Sequence, residues 1–220
     1  MNKPPRKLPK TASIAIPQDG AKLHAPSAAR NIEPILRAIT PFVPQSGRAL
    51  EIASGTGEHI ARYAAAFQSL QWQSADIEPA RLASIDAWGA GLPNLLPAKH
   101  LDASQLGWAG NWPPQDLILF SNLLHLISEA EATTVLTEAA QALAMGGVFL
   151  IYGPFMRGAN FASAGDQHFH ESLQAQDADI GYKSVQWVQS TLRDAGLHPE
   201  PPIDMPANNL MLIAKSPSCE

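Results

Sequence analysis

The chain has 220 residues, enough for one domain with a sizeable core and too few for two comfortable ones. Hydrophobic residues make up 45% and charged residues 16%, a globular composition, and the formal net charge of -5 offers no electrostatic footprint for nucleic acid or an anionic membrane. One cysteine, Cys219, excludes a disulfide framework and a cysteine metal site and fits a reducing compartment, so a cytoplasmic protein is expected.

The N-terminal "MNKPPRKLPK" is basic, but no apolar run of signal-peptide length follows it. The longest apolar stretches, such as "DLILFSNLLHLI", are too short to span a bilayer. Residues 1–25, rich in Pro and Lys and without periodicity, read as a flexible arm or a strap that orders over a ligand. Residues 26–217 read as a single domain.

In "SAARNIEPILRAITPF" the spacing puts Ile32, Ile35, Leu36 and Ile39 on one helical face, with Pro34 near the start and Ser27 or Asn31 as cap. "RALEIA" is a short strand, and "GEHIARYAAAFQSL" a helix with Ile60, Ala64 and Phe67 at helical spacing. "LQWQSAD" is a strand ending at Asp76. "EPARLASIDAWGAG" is a helix opened by Pro79 and stopped at glycine. "LLPAKHLD" is a weaker strand ending at Asp102, since Pro97 cannot donate to a ladder. "DLILFS" and "VFLIYG" are apolar throughout, as strands buried on both faces are. Between them "EAEATTVLTEAAQALAMGG" predicts a helix with a glycine stop. Residues 153–183 are long and irregular, with one helix around "DQHFHESLQAQ". "SVQWVQSTLRDAG" is a helix, and "HPEPPIDMPANNLMLIAKS" holds two strands too close together for a helical crossover.

Alternation of strand and helix predicts an α/β fold: a mostly parallel sheet of seven strands, helices on both faces and an antiparallel closing strand. In such a sheet ligands sit beyond the C-terminal strand ends, where Ser54, Gly55 and Gly57 lie. Glycine lets a ligand approach the backbone, and the helix starting near Glu58 directs free N–H groups into the same space. Glu51, just before the turn, repels a pyrophosphate and favours an ammonium or sulfonium. Asp76 is placed to accept the two hydroxyls of a ribose, and Asp102 an exocyclic adenine amine. Ile77 and Ala103, which follow these acids, complete the expected lining. Each feature alone has a plain reading as a turn or a helix cap. Their order and spacing together describe S-adenosylmethionine, an adenosine with a cationic amino-acid tail.

"LEIASGTGEH" resembles the first motif of the class I methyltransferases, and the strand order and closing hairpin agree. The segments "SAARNIEPIL", "LEIASGTGEHIARYAAAF", "LQWQSADIEP", "SNLLHLI", "GGVFLIYGPF" and "MPANNLMLIA", spanning residues 27–215, resemble more closely a methyltransferase-like subfamily catalogued as a domain of unknown function. The resemblance implies a Rossmann-like methyltransferase fold and S-adenosylmethionine binding, with S-adenosylhomocysteine as product, and supplies no acceptor. Ala53 departs from the class, which usually has its first motif glycine there. By analogy with the class, Ser121 and Asn122 lie beside the methionyl end, and Arg30 and Asn31 belong to a helix over the cofactor. The asparagine-proline-proline-aromatic motif of amino-group methylation is absent, because Leu123 and Leu124 follow Asn122.

For the chemistry, His125 is the candidate general base, set against a reading as a core or capping histidine. Tyr152 joins it as a catalytic candidate. Phe155 and Arg157, with Tyr152 and Phe161, are the candidate roof of the acceptor pocket, and Asn208 a candidate lining residue. The bland alternatives are a solvated arginine over packed aromatics and asparagines that serve the closing turn. His168, His170 and Glu171 suggest a metal, but the two histidines fall on different sides of a helix and no further ligands are evident, so none is expected. The acidic chain favours a small-molecule acceptor. A nicotinamide-dependent oxidoreductase is disfavoured because Ile60 stands where a third glycine is needed. A non-catalytic module that binds S-adenosylmethionine or supports a partner protein stays open.

Overall fold

The computed structural model describes residues 14–218. Two short strands, β1 (Ile16–Pro17) and β2 (Leu23–His24), precede helix α1 (Pro26–Ile39). There follow β3 (Gly47–Ile52), α2 (Glu58–Ala66), β4 (Leu70–Asp76), α3 (Pro79–Gly89), β5 (Lys99–His100) and β6 (Gln115–Ser121). The C-terminal half comprises α4 (Glu129–Ala142), β7 (Leu143–Pro154), α5 (Ala164–Gln174), α6 (Val185–Asp194), β8 (His198–Pro199), β9 (Ile203–Asp204) and β10 (Asn209–Lys215).

The main sheet runs β5-β4-β3-β6-β7-β10-β8, with β9 also pairing to β10. Pairs among β3 to β7 are parallel, while β10 is antiparallel to β7, β8 and β9. The chain builds outward from β3 to β5 and then returns to β6 on the other side. The gap between the C-terminal ends of β3 and β6 is therefore the switch point of the sheet.

Alternation along the strands separates two cores. Leu50, Ile52, Ile118, Phe120, Phe149 and Ile151 pack with α4 and α6. Ala49, Leu117, Leu119, Leu150 and Tyr152 face the layer of α1, α2 and α3, where Ile35, Ile60 and Ile85 meet them. Among the described residues no helix is long and apolar enough to cross a membrane.

Several local expectations change. Pro26 opens α1, Ala25 precedes it without a side-chain cap bond, and Pro34 lies in the helix interior, so neither Ser27 nor Asn31 caps. The helix predicted to stop at the glycine pair stops earlier. Leu143 takes an extended conformation (φ -71°, ψ 141°) and joins β7, opposite Gln115 and across a bulge. Serine caps do hold the later helices: Ser128 and Glu131 form a reciprocal capping box on α4, and Ser163 and Ser184 accept from Asp166 N and Trp187 N. The sheet's last edge is two short strands because Pro201 and Pro202 between them have no N–H to give.

The segment read as a flexible arm is a docked strap where it is described. β1 and β2 pair antiparallel. Leu23 N donates to Ser84 Oγ (2.8 Å), and Trp88 Nε1 donates to Leu23 O (2.9 Å). Ala25 N donates to Glu58 Oε2 (2.7 Å), and His24 Nδ1 lies 2.7 Å from Glu58 Oε1. Its partners come from α2 and α3, which the composition of residues 14–25 cannot reveal. Residues 1–13 of the expected arm lie outside the described residues.

Candidate functional site

A cavity of about 190 Å³ opens at the switch point, beyond the ends of β3, β4 and β6. Of the residues expected around a cofactor, Glu51, Ala53, Ser54, Gly55, Asp76, Ile77, Asp102, Ala103, Ser121 and Asn122 all line it. Arg30, Asn31 and Gly57 do not. Arg30 is exposed on α1. Asn31 points its side chain into the protein, where Oδ1 lies 2.8 Å from His59 Nε2.

The turn after β3 is built from unusual backbone angles. Ala53 is left-handed (φ 52°), as are Gly55 (φ 60°) and Gly57 (φ 90°). Ala53 thus adopts the conformation a glycine would take at this motif position, at a cost of about 1–2 kcal/mol for an L-residue. Gly57 has a second requirement: a Cβ there would stand 2.6 Å from Ile85 Cα, so its lack of a side chain lets α2 begin against α3. Its role is packing behind the turn and not contact with a ligand. Ser54 N donates to Ala75 O (3.0 Å) and Gly57 N to Ser54 O (3.2 Å), which fixes the turn to β4.

Asp76 faces into this turn. Its Oδ2 accepts from Gly55 N (2.8 Å) and its Oδ1 from Glu78 N (3.1 Å). Burial raises its pKa, while these backbone donors and Arg81 oppose the shift. Asp102 accepts three bonds, from Ser104 N, Ser104 Oγ and Gln105 Nε2. A carboxylate offers about four acceptor positions, so capacity for one more donor remains.

Glu51 is the outlier of the site. Its carboxyl is 1% exposed, and Oε2 has no hydrogen-bond partner. Burial raises its pKa to about 8; Ser54 acts in the opposite direction and the Asp76 charge adds to the rise. Around it lie further unsatisfied oxygens: Tyr63 Oη, Ser74 Oγ and Ser121 Oγ. Ser121 is near enough to lower the Tyr63 pKa against the larger effect of burial, yet neither oxygen meets hydrogen-bond geometry. The strand period explains this gathering. Glu51, Ser74 and Ser121 occupy the C-terminal ends of three adjacent parallel strands, with Glu51 directly opposite Ser74.

The residues assigned to acceptor chemistry are not brought to the cavity. His125 follows the cavity-lining Leu123 in sequence, but its ring is buried against Phe169 and Tyr182 at 5.9 and 6.1 Å between centroids. Burial, helped by the Lys183 charge, lowers its pKa to about 3. It is a neutral, buried histidine packed beneath α5, and it is not among the residues that line the cavity. Tyr152 is buried under α1, where Asn31 acts on its hydroxyl. Phe155 is part of the apolar core. Arg157 Nη2 pairs with Asp204 at 2.8 Å on the surface. Asn208 Nδ2 donates to Asp166 Oδ2 (2.9 Å) at the start of α5. His170 Nδ1 accepts from Tyr182 N (3.0 Å), and no three His, Cys, Asp or Glu among the described residues gather as a metal site.

Sequence reading missed other members of the cavity: His59, Arg81, Ser104, Leu126 and Ile127. His59 had a signal, being one residue into the helix that follows the turn. Its burial lowers the pKa to about 4, against the effect of Glu58, so it is neutral, and its ring stacks on Tyr63 at 5.9 Å.

The model of a family described as protein of unknown function (DUF938) matches residues 22–216. Solved structures with the same fold include an O-methyltransferase family protein from Burkholderia thailandensis, at TM-score 0.73 and 20% identity over 88% of this chain and 58% of the other. Human N-acetylserotonin methyltransferase in complex with SAM matches at TM-score 0.73 and 13% identity, over 87% of this chain and 53% of that one. An O-methyltransferase family 2 protein from Planctomyces limnophilus, in complex with apigenin, matches at TM-score 0.72 and 17% identity, over 86% and 60%. The chain thus spans a little over half the length of these proteins. Its fold is the Rossmann-like one they share.

Proposed function

The chain belongs to the DUF938 family, and we propose that it is an S-adenosylmethionine-dependent methyltransferase acting on a small-molecule acceptor. One observation carries the reading: a buried carboxyl, Glu51, whose Oε2 has no hydrogen-bond partner, shares one cavity with two strand-end acids, Asp76 and Asp102. Asp76 is the acceptor for the ribose hydroxyls, and Asp102 has one position left for an adenine amine. Ala53, Gly55 and Ala103 leave room for a ligand against the backbone. Glu51 is the counter-charge for an ammonium.

S-adenosylmethionine supplies a methyl group on a sulfonium, which an acceptor lone pair displaces in line. The chain's part is alignment and exclusion of water. Asn122, held left-handed (φ 58°) with its N–H on Tyr152 O at 2.8 Å, and the apolar Leu123, Leu126 and Ile127 form the wall of the cavity after β6. His125 is buried off this wall and His59 is the neutral imidazole that lines the cavity, so an acceptor that loses its proton to solvent needs no base from His125. That two of the similar structures are named for or hold a small aromatic compound supports a small-molecule acceptor here.

The test is turnover. The protein, methyl-labelled S-adenosylmethionine and a fractionated metabolite extract should give S-adenosylhomocysteine in proportion to one labelled small molecule. Tight binding of S-adenosylmethionine with no label transferred to any fraction would favour the binding-module reading instead.

A further inference from the structure

The cluster around Glu51 carries a consequence for how a ligand is taken up. This inference rests on the cofactor reading above. We infer that the site captures its ligand's amino group by proton exchange: Glu51 waits as a carboxylic acid and releases its proton to solvent as the ammonium docks.

The geometry makes the charge state. Glu51 Oε2 is buried without a partner, and three hydroxyl oxygens near it, of Tyr63, Ser74 and Ser121, are equally unsatisfied. An ionised carboxylate in such a place would need a counter-charge. Among the described residues, the groups that act on it supply none. From β4 comes Asp76, an acid. From α2 comes the Tyr63 phenol, and behind it stand the neutral His59, stacked on Tyr63, and the Tyr152 phenol of β7 with the uncharged Asn31 of α1. Arg81 on α3 acts on Asp76 and is not among the groups acting on Glu51. The rise of the Glu51 pKa to about 8 agrees with this arrangement.

An incoming ammonium changes the balance. The exchange is written as carboxylic acid plus ammonium giving the carboxylate–ammonium pair plus one proton in solvent. No electron moves and no covalent bond of the ligand breaks. The amino group is thereby the part of the ligand that the site reads by charge, and a nucleoside without it leaves Glu51 protonated.

Calorimetric titration in phosphate and in Tris, buffers of different ionisation enthalpy, reads the proton directly. The probes are S-adenosylhomocysteine and 5′-methylthioadenosine, which has the nucleoside but no amino-acid tail. At pH 7 the homocysteine ligand should release about one proton per site, and its affinity should rise about tenfold per pH unit below pH 7 and level off through pH 8. The tail-less ligand should bind with no proton released. Glu51→Gln should remove the release from the first ligand while still binding the second. S-adenosylhomocysteine bound with no buffer dependence, or equal release from 5′-methylthioadenosine or from Glu51→Gln, would overturn the inference and leave the cofactor reading standing. Folded wild-type protein that binds neither ligand would overturn both.

Discussion

The amide of Gly55 donates to the carboxylate of Asp76 across 2.8 Å, tying the turn after β3 to the end of β4. The residue assigned to the ribose is therefore also part of the turn that shapes the cavity. Asp76→Ala should lower affinity for S-adenosylhomocysteine by more than tenfold. It should also cost about 1–3 kcal/mol of stability, because a backbone donor loses its partner. Asp76→Asn retains an acceptor for Gly55 and should keep most of the stability while losing affinity. Urea denaturation and calorimetry on the two variants separate the effects.

The two small residues of the turn should respond in opposite directions. Gly57→Ala combines a left-handed angle with a clash against Ile85 and should cost about 2–5 kcal/mol. Ala53→Gly relieves a left-handed alanine and should stabilise by about 0.5–1 kcal/mol, after the entropy of the added glycine. Thermal melts of both variants check the pair.

Stability should be bell-shaped in pH. His59 and His125, with folded pKa values of about 4 and 3, bind fewer protons than in the unfolded chain, so they stabilise above pH 6.5 and lose that contribution as pH falls. Glu51, at about 8, binds more protons than in the unfolded chain, so its contribution falls as pH rises from 4.5 through 8. Among these three groups the two histidines outweigh the glutamate below pH 6.5, and only the glutamate acts between pH 6.5 and 8. The melting temperature of the ligand-free protein should peak near pH 6.5, and Glu51→Gln should flatten the alkaline limb.

His125→Phe tests whether His125 acts as the base. Phenylalanine keeps the contacts with Phe169 and Tyr182 and removes a group that resists protonation. The variant should stay folded, weaken the acid limb of the pH profile and bind S-adenosylhomocysteine within about twofold of wild type. Normal binding with turnover abolished would restore His125 to the chemistry.

The strand-end residues of the cavity are legible in the sequence because they are local to the strands that carry them. Asp76 and Asp102 terminate recognisable strands, and Gly55 sits in a motif whose backbone is what matters. The surroundings of the residues expected at an acceptor are not legible in the same way. Phe155, Arg157 and Asn208 sit in segments with no period, and their partners, the apolar core, Asp204 and Asp166, are set by tertiary packing. His125 shows the limit most clearly, since two or three residues decide whether a side chain after a strand points into a cleft or under a helix. For residues 14–25 the sequence left arm and strap open for the same reason: Glu58, Ser84 and Trp88 hold the segment from far along the chain.

A crystal structure grown with S-adenosylhomocysteine tests the central claim most directly. The account predicts density in the cavity beyond β3, β4 and β6, with the ribose on Asp76, the adenine amine on Asp102 and the amino group on Glu51. Density elsewhere on the chain, or the same cavity filled only by solvent at saturating ligand, would contradict it.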